Sequence, residues 1–586
     1  MLHKKGERSD PNNYRSISLL NIISKLFTSI LQKRLYSWCV LNNVLSENQF
    51  GFRPNRSTID CIFIHNTLIQ YHLSRKRGKL YACYIDFSKA FDSVSWEILW
   101  RKLEKLGIGT ESRFLKILKA IYKSVSCRVI TPWGLTSSIN LCKGVRQGCI
   151  LSPLLFTLFI DDIKTWLNDV NGHEFNFEGN IPLTHLLFAD DLALFSQSVV
   201  GLQKMINCLS EYCKTFNMKI NVDKTKIMVF RNGGRPSKKE VWYLDGNKVE
   251  VVSKFKYLGL KFSNSGVWTA AEVDLANRAK KGTFCIKNFL YNSKISNLKI
   301  ALRLFDACIA PTLNYGAEIW GFHRGNSIDM VFDNFYKFIT RLPKNTNNIA
   351  ARGELGRSRS HCGRFVKAIK YWIKLTRDTS QLPLYLKLAF KLQCKLDSQG
   401  HEVWASDVRN ILCSIGFAEE WYTQQVSQPN FFIVECKKRL NYLEHVSFMK
   451  GILNTPRLVF YQHNKFNLEE SGYWNSELPF HIKSVFCRFL CSGHNLAIET
   501  GRRSNVPREA RICSLCNLDE VEDEVHFVLR CPKLHDLRTK YIPSEYVNMP
   551  GWNAIVSLIM NPEKRDNVMK FCFYASRKRD SLLTSM

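Results

Sequence analysis

The stretch Leu186–Phe195, LLFADDLALF, constrains this chain more than any other. An apolar run is broken at its centre by two carboxylates, Asp190 and Asp191, and reads as two short strands around an acidic pair. Adjacent carboxylates at the tip of an apolar hairpin are costly to bury unpaired. Two like charges about 4 Å apart repel by about 1 kcal/mol in water and about 4 kcal/mol at an effective dielectric of about 20. A divalent cation removes that penalty. A third carboxylate, Asp86, ends the run YACYID, where a buried strand would deliver it to one rim of a sheet. Mg²⁺ takes a few carboxylates together with substrate phosphates, and two such ions clamp the oxygens of a phosphoryl transfer. The simpler reading is a solvated tight turn, with Asp86 merely closing a strand. The spacing alone leaves both open.

Composition narrows the partners. Lys and Arg number 83 against 51 Asp and Glu, a net charge of +32, which implies a polyanion. With 45% hydrophobic and 23% charged residues, a largely disordered chain is excluded, and 586 residues divide into several units. No membrane partner is expected: the most apolar stretch, Cys149 to Ile160, carries Pro153 and is short of the about 20 residues a span requires. The N-terminus has no apolar signal core, so the 20 cysteines are expected to be reduced thiols of an intracellular protein.

Helical spacing predicts helices over Asn21–Cys39, from Thr58 to Ser74, and over Leu202–Phe216. Strands are expected at Leu80–Phe87 and Lys226–Phe230. Ser152 and Pro153 read as N-cap and first residue of an apolar helix. Gln49–Thr58 and Arg231–Lys239 are Gly- and Pro-marked turns, and from about Ser263 the pattern is helical to the end.

Taken in order, these segments resemble the blocks of reverse transcriptases from non-LTR retrotransposons. NYRSISLLNIISKLF and QFGFRPNRST resemble the fingers blocks. YIDFSKAFDSV, GVRQGCILSPLLFTLFIDDI, FADDLALF, INVDKTKIMVF and FKYLGLKF resemble the palm blocks, and DACIAPTLNYGAEIWG the thumb. The resemblance implies an α+β right-hand polymerase: partial fingers over 1–79, palm over 80–262, helical thumb or connection over 263–390, and a nucleic-acid-binding region over 391–586.

It also implies Asp86, Asp190 and Asp191 as the metal-binding triad with Mg²⁺ or Mn²⁺, assisted by the Phe87 carbonyl. Phe91 would exclude a ribose 2′-OH, Gln147 and Gly148 would shape the nucleotide pocket, and Lys224 would protonate the departing pyrophosphate. Arg53 and Arg56 would contact triphosphate or template. The partners implied are an RNA template, a DNA primer or target and deoxynucleoside triphosphates. Particle assembly would take place in the cytoplasm and synthesis at the target in the nucleus. Ser16 and Ile150 stand where the family commonly has proline. The upstream finger segments and an endonuclease domain are missing, so the chain is expected to be N-terminally incomplete. The rival reading is therefore a truncated product that holds nucleic acid without polymerising.

Two further features point to nucleic acid. Arg364, Lys367, Lys370, Lys374 and Arg377 accompany an apolar face of Phe365, Ile369, Trp372 and Ile373, which predicts a helix with a cationic outer side for phosphate backbones. Cys513, Cys516, His526 and Cys531 have the spacing C-x2-C-x9-H-x4-C, a structural Zn²⁺ pattern that also resembles the family's C-terminal cysteine–histidine motif. Cys487, Cys491 and His494 are alternative ligands, and Arg502, Arg503, Arg508 and Arg511 would place cations beside the knuckle.

Overall fold

Asn21 starts the first long helix by accepting the Ser24 N–H on its side-chain oxygen at 2.7 Å, and α1 (Ile22–Leu41) follows. The computed structural model describes residues 2–3, 6–7, 9–10, 13–123, 125–131, 133–168, 175–235, 237–322, 325–377, 381–549 and 551–585. Ser57 and Asp60 close a capping box on α2 (Thr58–Leu73), a helix buried on almost every side. The strand β1 (Lys79–Ile85) comes next, then α3 (Trp96–Lys105) and α4 (Ser152–Ile160). The N-cap of α4 is Leu151, so Ser152 and Pro153 sit one position deeper than expected: Ser152 is already helical, and Pro153 supplies a φ the first turn accepts. The hairpin strands β2 (His185–Phe188) and β3 (Asp191–Ser196) follow, then α5 (Val199–Thr215), β4 (Lys226–Arg231) and β5 (Glu250–Val251).

These strands form one sheet in the order β2-β3-β1-β4-β5, antiparallel except for the parallel β4–β5 edge. Side chains alternate across it. Tyr81, Cys83, Ile85, Leu192, Leu194, Ile227 and Val229 enter a core shared with α1, α3, α4 and α5. Tyr84, Phe195 and Phe230 face the other way, around His65 of α2. Helices cover both faces, which is why β1 is continuously apolar rather than alternating. Burial drives the His65 imidazole down to about 3, so it sits neutral among the aromatic rings.

A hairpin of β6 (Lys254–Tyr257) and β7 (Leu260–Ser263) ends the sheet-forming part. The described chain beyond it is helical, including α6 (Thr269–Asn292), α7 (Asn326–Thr340), α8 (Ser360–Arg377), α9 (Leu384–Ser398), α10 (Phe480–Leu490) and α11 (Pro562–Ser585). No helix is long and apolar enough to cross a membrane.

The chain forms two compact units. One comprises Met1–Ala271, Tyr371–Ile411 and Trp421–Gln425; the other comprises Glu272–Lys370, Leu412–Glu420 and Val426–Met586. The expected division at 390 falls inside α9. That helix belongs with the sheet-bearing unit because Gln393 Nε2 donates to Thr67 Oγ1 at 3.1 Å and to Gln70 Oε1 at 2.7 Å on α2.

Candidate active site and candidate metal centre

The β2–β3 pairing runs from His185–Leu194 to Phe188–Asp191, leaving Ala189 and Asp190 as the two residues of the turn. Ala189 has φ +59°, the left-handed conformation that a tight hairpin turn requires and that glycine normally supplies. The buried side chain of Gln49 braces it: Oε1 accepts the Ala189 N–H at 3.1 Å and the Gly51 N–H at 2.8 Å, and Nε2 donates to the Ala189 carbonyl at 3.4 Å. The Phe50 N–H donates to the Leu187 carbonyl at 2.8 Å, so the whole QFG segment lies along the hairpin. A Cβ on Gly51 would stand 2.2 Å from the Ala189 nitrogen. Neither Gln49 nor Gly51 stands out in the sequence, although both lie just before Arg53 and Arg56.

Sheet register assembles the carboxylates. Leu192 pairs with Ile85, and one step beyond that pair stand Asp191 on β3 and Asp86 past the end of β1. The Asp191 carboxyl is pushed up to about 6, first by desolvation and then by the neighbouring charges of Asp190 and Asp86. Asp191 thus feels two further carboxylates at one sheet rim, and carboxylates are the donors a hard divalent cation takes. Asp86 is itself fixed: its N–H donates to Thr225 Oγ1 at 3.3 Å, and its carbonyl accepts the Asn221 N–H at 2.8 Å. Lys224 Nζ donates to Asp86 Oδ2 at 3.2 Å, so the structure brings this predicted lysine to the carboxylates. Phe87 is buried and bridges Ile220.

Phe91 is half-buried, its ring stacked on Phe156 at 4.5 Å and 14° and edge-on to Phe52 at 6.3 Å and 81°. Phe52, at φ +58° and 53% exposed, is an aromatic neighbour that sequence reasoning did not single out. Gly148 has φ +108°, and a Cβ there would meet the Ser18 carbonyl oxygen at 2.5 Å. The preceding Gln147 carbonyl accepts the Ser18 N–H at 2.7 Å.

Arg53 and Arg56 are both engaged within the protein. Arg53 donates to the Ser46 carbonyl at 2.5 Å and lies 3.6 Å from Glu47. Arg56 donates to Glu47 Oε1 at 2.6 Å and to the carbonyls of Glu47 and Gln49. They hold the loop that carries Gln49.

In the other unit, Cys513, Cys516, His526 and Cys531 are all buried, and one ligand atom from each lies within 4.8 Å of all the others. Cys516 Sγ and His526 Nε2 stand 3.5 Å apart. His526 Nδ1 bonds Glu520 Oε2 at 3.0 Å, which aims Nε2 at the thiols, the carboxylate–histidine arrangement of metal ligands. Glu520, which also accepts the Cys513 N–H on its carbonyl at 2.9 Å, was missed in the sequence. Its position inside the C-x2-C-x9-H spacing was the available signal. Three thiols and an imidazole in one buried cluster fit a four-coordinate metal. Cys487 and Cys491 gather instead around Glu354, and His494 pairs with Glu524 at 3.0 Å.

The two basic stretches are less open than expected. On α8, Arg364 is fully buried and donates to the Gly321 carbonyl at 3.3 Å; Lys367 donates to the Asn314 carbonyl at 2.9 Å. Lys374 pairs with the buried Asp60 at 2.7 Å, leaving Lys370 and Arg377 as the exposed cations. Near the cysteine cluster, Arg511 donates to the carbonyls of Val506 and Ile498, Arg502 pairs with Glu499, and Arg503 donates to the His494 carbonyl. Arg508 is exposed, 3.9 Å from Asp523.

Residues 2–262 match the family described as reverse transcriptase (RNA-dependent DNA polymerase). The chain is 26% identical over 330 residues to the probable RNA-directed DNA polymerase from transposon BS of Drosophila melanogaster, covering 55% of this chain and 35% of that protein. It is 30% identical over 330 residues to the retrovirus-related Pol polyprotein from type-1 retrotransposable element R2 of Popillia japonica, covering 54% of this chain and 43% of that protein. The chain thus spans less than half the length of these relatives. Among solved structures, telomerase from Candida tropicalis in complex with the TWJ fragment of telomeric RNA aligns at a TM-score of 0.30 and 12% identity, covering 69% of this chain and 57% of that one.

Proposed function

Residues 2–262 belong to the reverse transcriptase family, with relatives among the RNA-directed DNA polymerases of non-LTR retrotransposons, and on that premise we propose that this chain extends a DNA 3′-end along an RNA template. The observation that carries the reading is Asp86 and Asp191 side by side in register at one sheet rim, with Asp190 next in the turn and Lys224 bonded to Asp86. Asp86 and Asp190 are the principal ligands of Mg²⁺ or Mn²⁺; Asp191 and the Phe87 carbonyl support them. When bound, two such ions supply charge stabilisation to the attacking and leaving oxygens of an in-line displacement. Lys224, which donates to Asp86 here, would give a proton to the departing pyrophosphate. Phe91, held by Phe156, closes the space beside the sugar's 2′ carbon and selects deoxynucleotides. Gln147 and Gly148 form the pocket wall against the template. Arg53 and Arg56 position the Gln49 loop.

The architecture is that of a right hand, with partial fingers, a palm built on the five-stranded sheet and a helical thumb. Cys513, Cys516, His526 and Cys531 hold a structural Zn²⁺ in a nucleic-acid-binding region. Ribonucleoprotein assembly in the cytoplasm and synthesis in the nucleus complete the reading.

The test is primer extension by the full chain on an RNA template with Mg²⁺ or Mn²⁺. Wild type should extend and Asp190→Asn should not, with RNA binding preserved. Wild type that binds RNA but never extends would establish the binding-only rival.

A further inference from the structure

Along the second half of α6 and just past its end, Lys280, Phe284, Lys287, Tyr291 and Lys294 recur at steps of four and three. That spacing puts them on one side of a helix, cation and ring alternating. A ring stripe at helical spacing ordinarily packs into a core. Here Phe284 is 64% exposed and Tyr291 81% exposed, so neither ring is packed away. The stripe lines a groove of about 1300 Å³, with Lys337, Phe338, Arg341 and Lys344 on the other walls. Six cations line it, and no carboxylate does. Lys280, Lys287, Lys294 and Lys344 make no ion pair among the described residues. Lys287 Nζ stands 4.8 Å over the Phe338 ring, and the Arg341 guanidinium 5.0 Å over Phe480. Burial and the nearby Lys344 charge hold the Lys287 ammonium below its usual range, as expected of cations crowded without an anion.

Open rings alone would suit a protein partner, and open lysines alone are an ordinary solvated face. Alternating along one groove without acids, they match a strand whose phosphates pair with ammonium groups while its bases lie on the rings. A duplex offers the phosphates but keeps its base faces stacked within itself, leaving Phe284 and Tyr291 nothing to receive. We propose that this groove holds single-stranded RNA, gripped by base stacking on Phe284 and Tyr291 between the lysines. The choice of RNA rests on the polymerase reading of residues 2–262; the single-strandedness rests on the rings alone.

The experiment uses the full chain and fluorescence anisotropy with a 20-nucleotide oligouridine, the same length of oligothymidine, and a blunt RNA–DNA duplex. Two stacking platforms are lost in Phe284→Ala with Tyr291→Ala, which should weaken oligouridine binding by roughly thirtyfold or more. Duplex affinity should change by less than about twofold. Phe284→Trp should restore binding, because it restores the platform. Lys280→Gln, Lys287→Gln and Lys294→Gln together should flatten the salt dependence of oligouridine affinity by about 2 in log–log slope. Thermal melting should be unchanged for the substitutions at the exposed Lys280, Phe284, Tyr291 and Lys294. Unchanged oligouridine affinity in the double variant overturns the proposal, as does an equal loss for the duplex; a loss confined to oligothymidine moves the site to DNA. Wild-type primer extension is measured alongside. Extension without stripe-dependent RNA binding sinks the groove and spares the polymerase reading; stripe-dependent binding without extension does the reverse.

Discussion

Asp86 and Asp191 meet only because β1 and β3 pair in register, whereas Cys513, Cys516, His526 and Cys531 all come from one short stretch near the end of the chain. The carboxylate rim is the by-product of a sheet buried on both faces, so the fold exists before any cation arrives. The cysteine cluster has the opposite logic. Its ligands sit on short elements, the Ile512–Val521 bridge and the helical turn His526–Arg530, and Arg579 of α11 clamps the intervening Glu522 with bonds of 2.5 and 2.7 Å. Three thiols and an imidazole are poor neighbours in a core unless a metal binds them. The first site is fold-first and the second metal-first, and the two should fail differently.

The largest expected effect is on the cysteine cluster. Elemental analysis of protein purified without chelators should find close to one zinc per chain. Apparent binding energies of small zinc modules are about 10–16 kcal/mol, so a chelator or Cys531→Ser should unfold the surrounding segment. Hydrogen exchange should show the loss of protection confined to that stretch, with β1, β3 and β4 still protected. Zinc-free protein with an ordered cluster would erase the distinction.

Next come changes that strike the carboxylate site through the fold. Gly51→Ala places a methyl group on the hairpin backbone, and overpacking of this kind costs about 1–3 kcal/mol; a lowered urea midpoint together with lost extension is expected. Gln49→Ala leaves the buried Ala189 N–H without its acceptor, a cost of about 1–3 kcal/mol. Its signature should be a kcat roughly tenfold lower with template affinity unchanged. Normal kcat in both variants would mean that the hairpin needs no brace.

A smaller effect is expected at Phe91. Phe91→Ala should raise ribonucleotide use relative to deoxynucleotides by about tenfold to a hundredfold, the range a shape-selective apolar pocket can supply. Competition between the two triphosphates in single-nucleotide incorporation measures it. An unchanged preference would assign Phe91 to packing against Phe156 alone. The smallest effect is predicted for α8: Lys370→Gln with Arg377→Gln should change RNA affinity by less than about threefold, because only these two of the five cations stand open.

Much of this was legible in the sequence because period and punctuation do not depend on tertiary context. The helices expected over Asn21–Cys39 and from Thr58 to Ser74 form as α1 and α2, and LLFADDLALF is a hairpin with its acids at the tip. The C-x2-C-x9-H-x4-C spacing alone brought four ligands into one cluster. Charge was legible only as a sum. Arg53, Arg56, Arg364 and Lys374 read as ligands for polyanions, yet each is committed to a carbonyl or carboxylate, because an arginine or lysine advertises neither its burial nor its partner. Conversely, the stripe from Lys280 to Lys294 looks like any half-apolar helix until its rings prove to be exposed. Gln49 escaped for a different reason: its role depends on the left-handed φ of Ala189, a conformation no residue type there announces.

The account turns on chemistry at the sheet rim being separable from metal binding at the cysteine cluster. The most direct measurement compares wild type, Asp190→Asn and Cys531→Ser in one RNA-templated primer-extension series, with zinc content and RNA affinity read on the same preparations. Asp190→Asn should keep its zinc and its RNA affinity while losing extension entirely. Cys531→Ser should lose its zinc yet still incorporate nucleotides once template concentration is raised. Extension by Asp190→Asn at the wild-type rate would contradict the account.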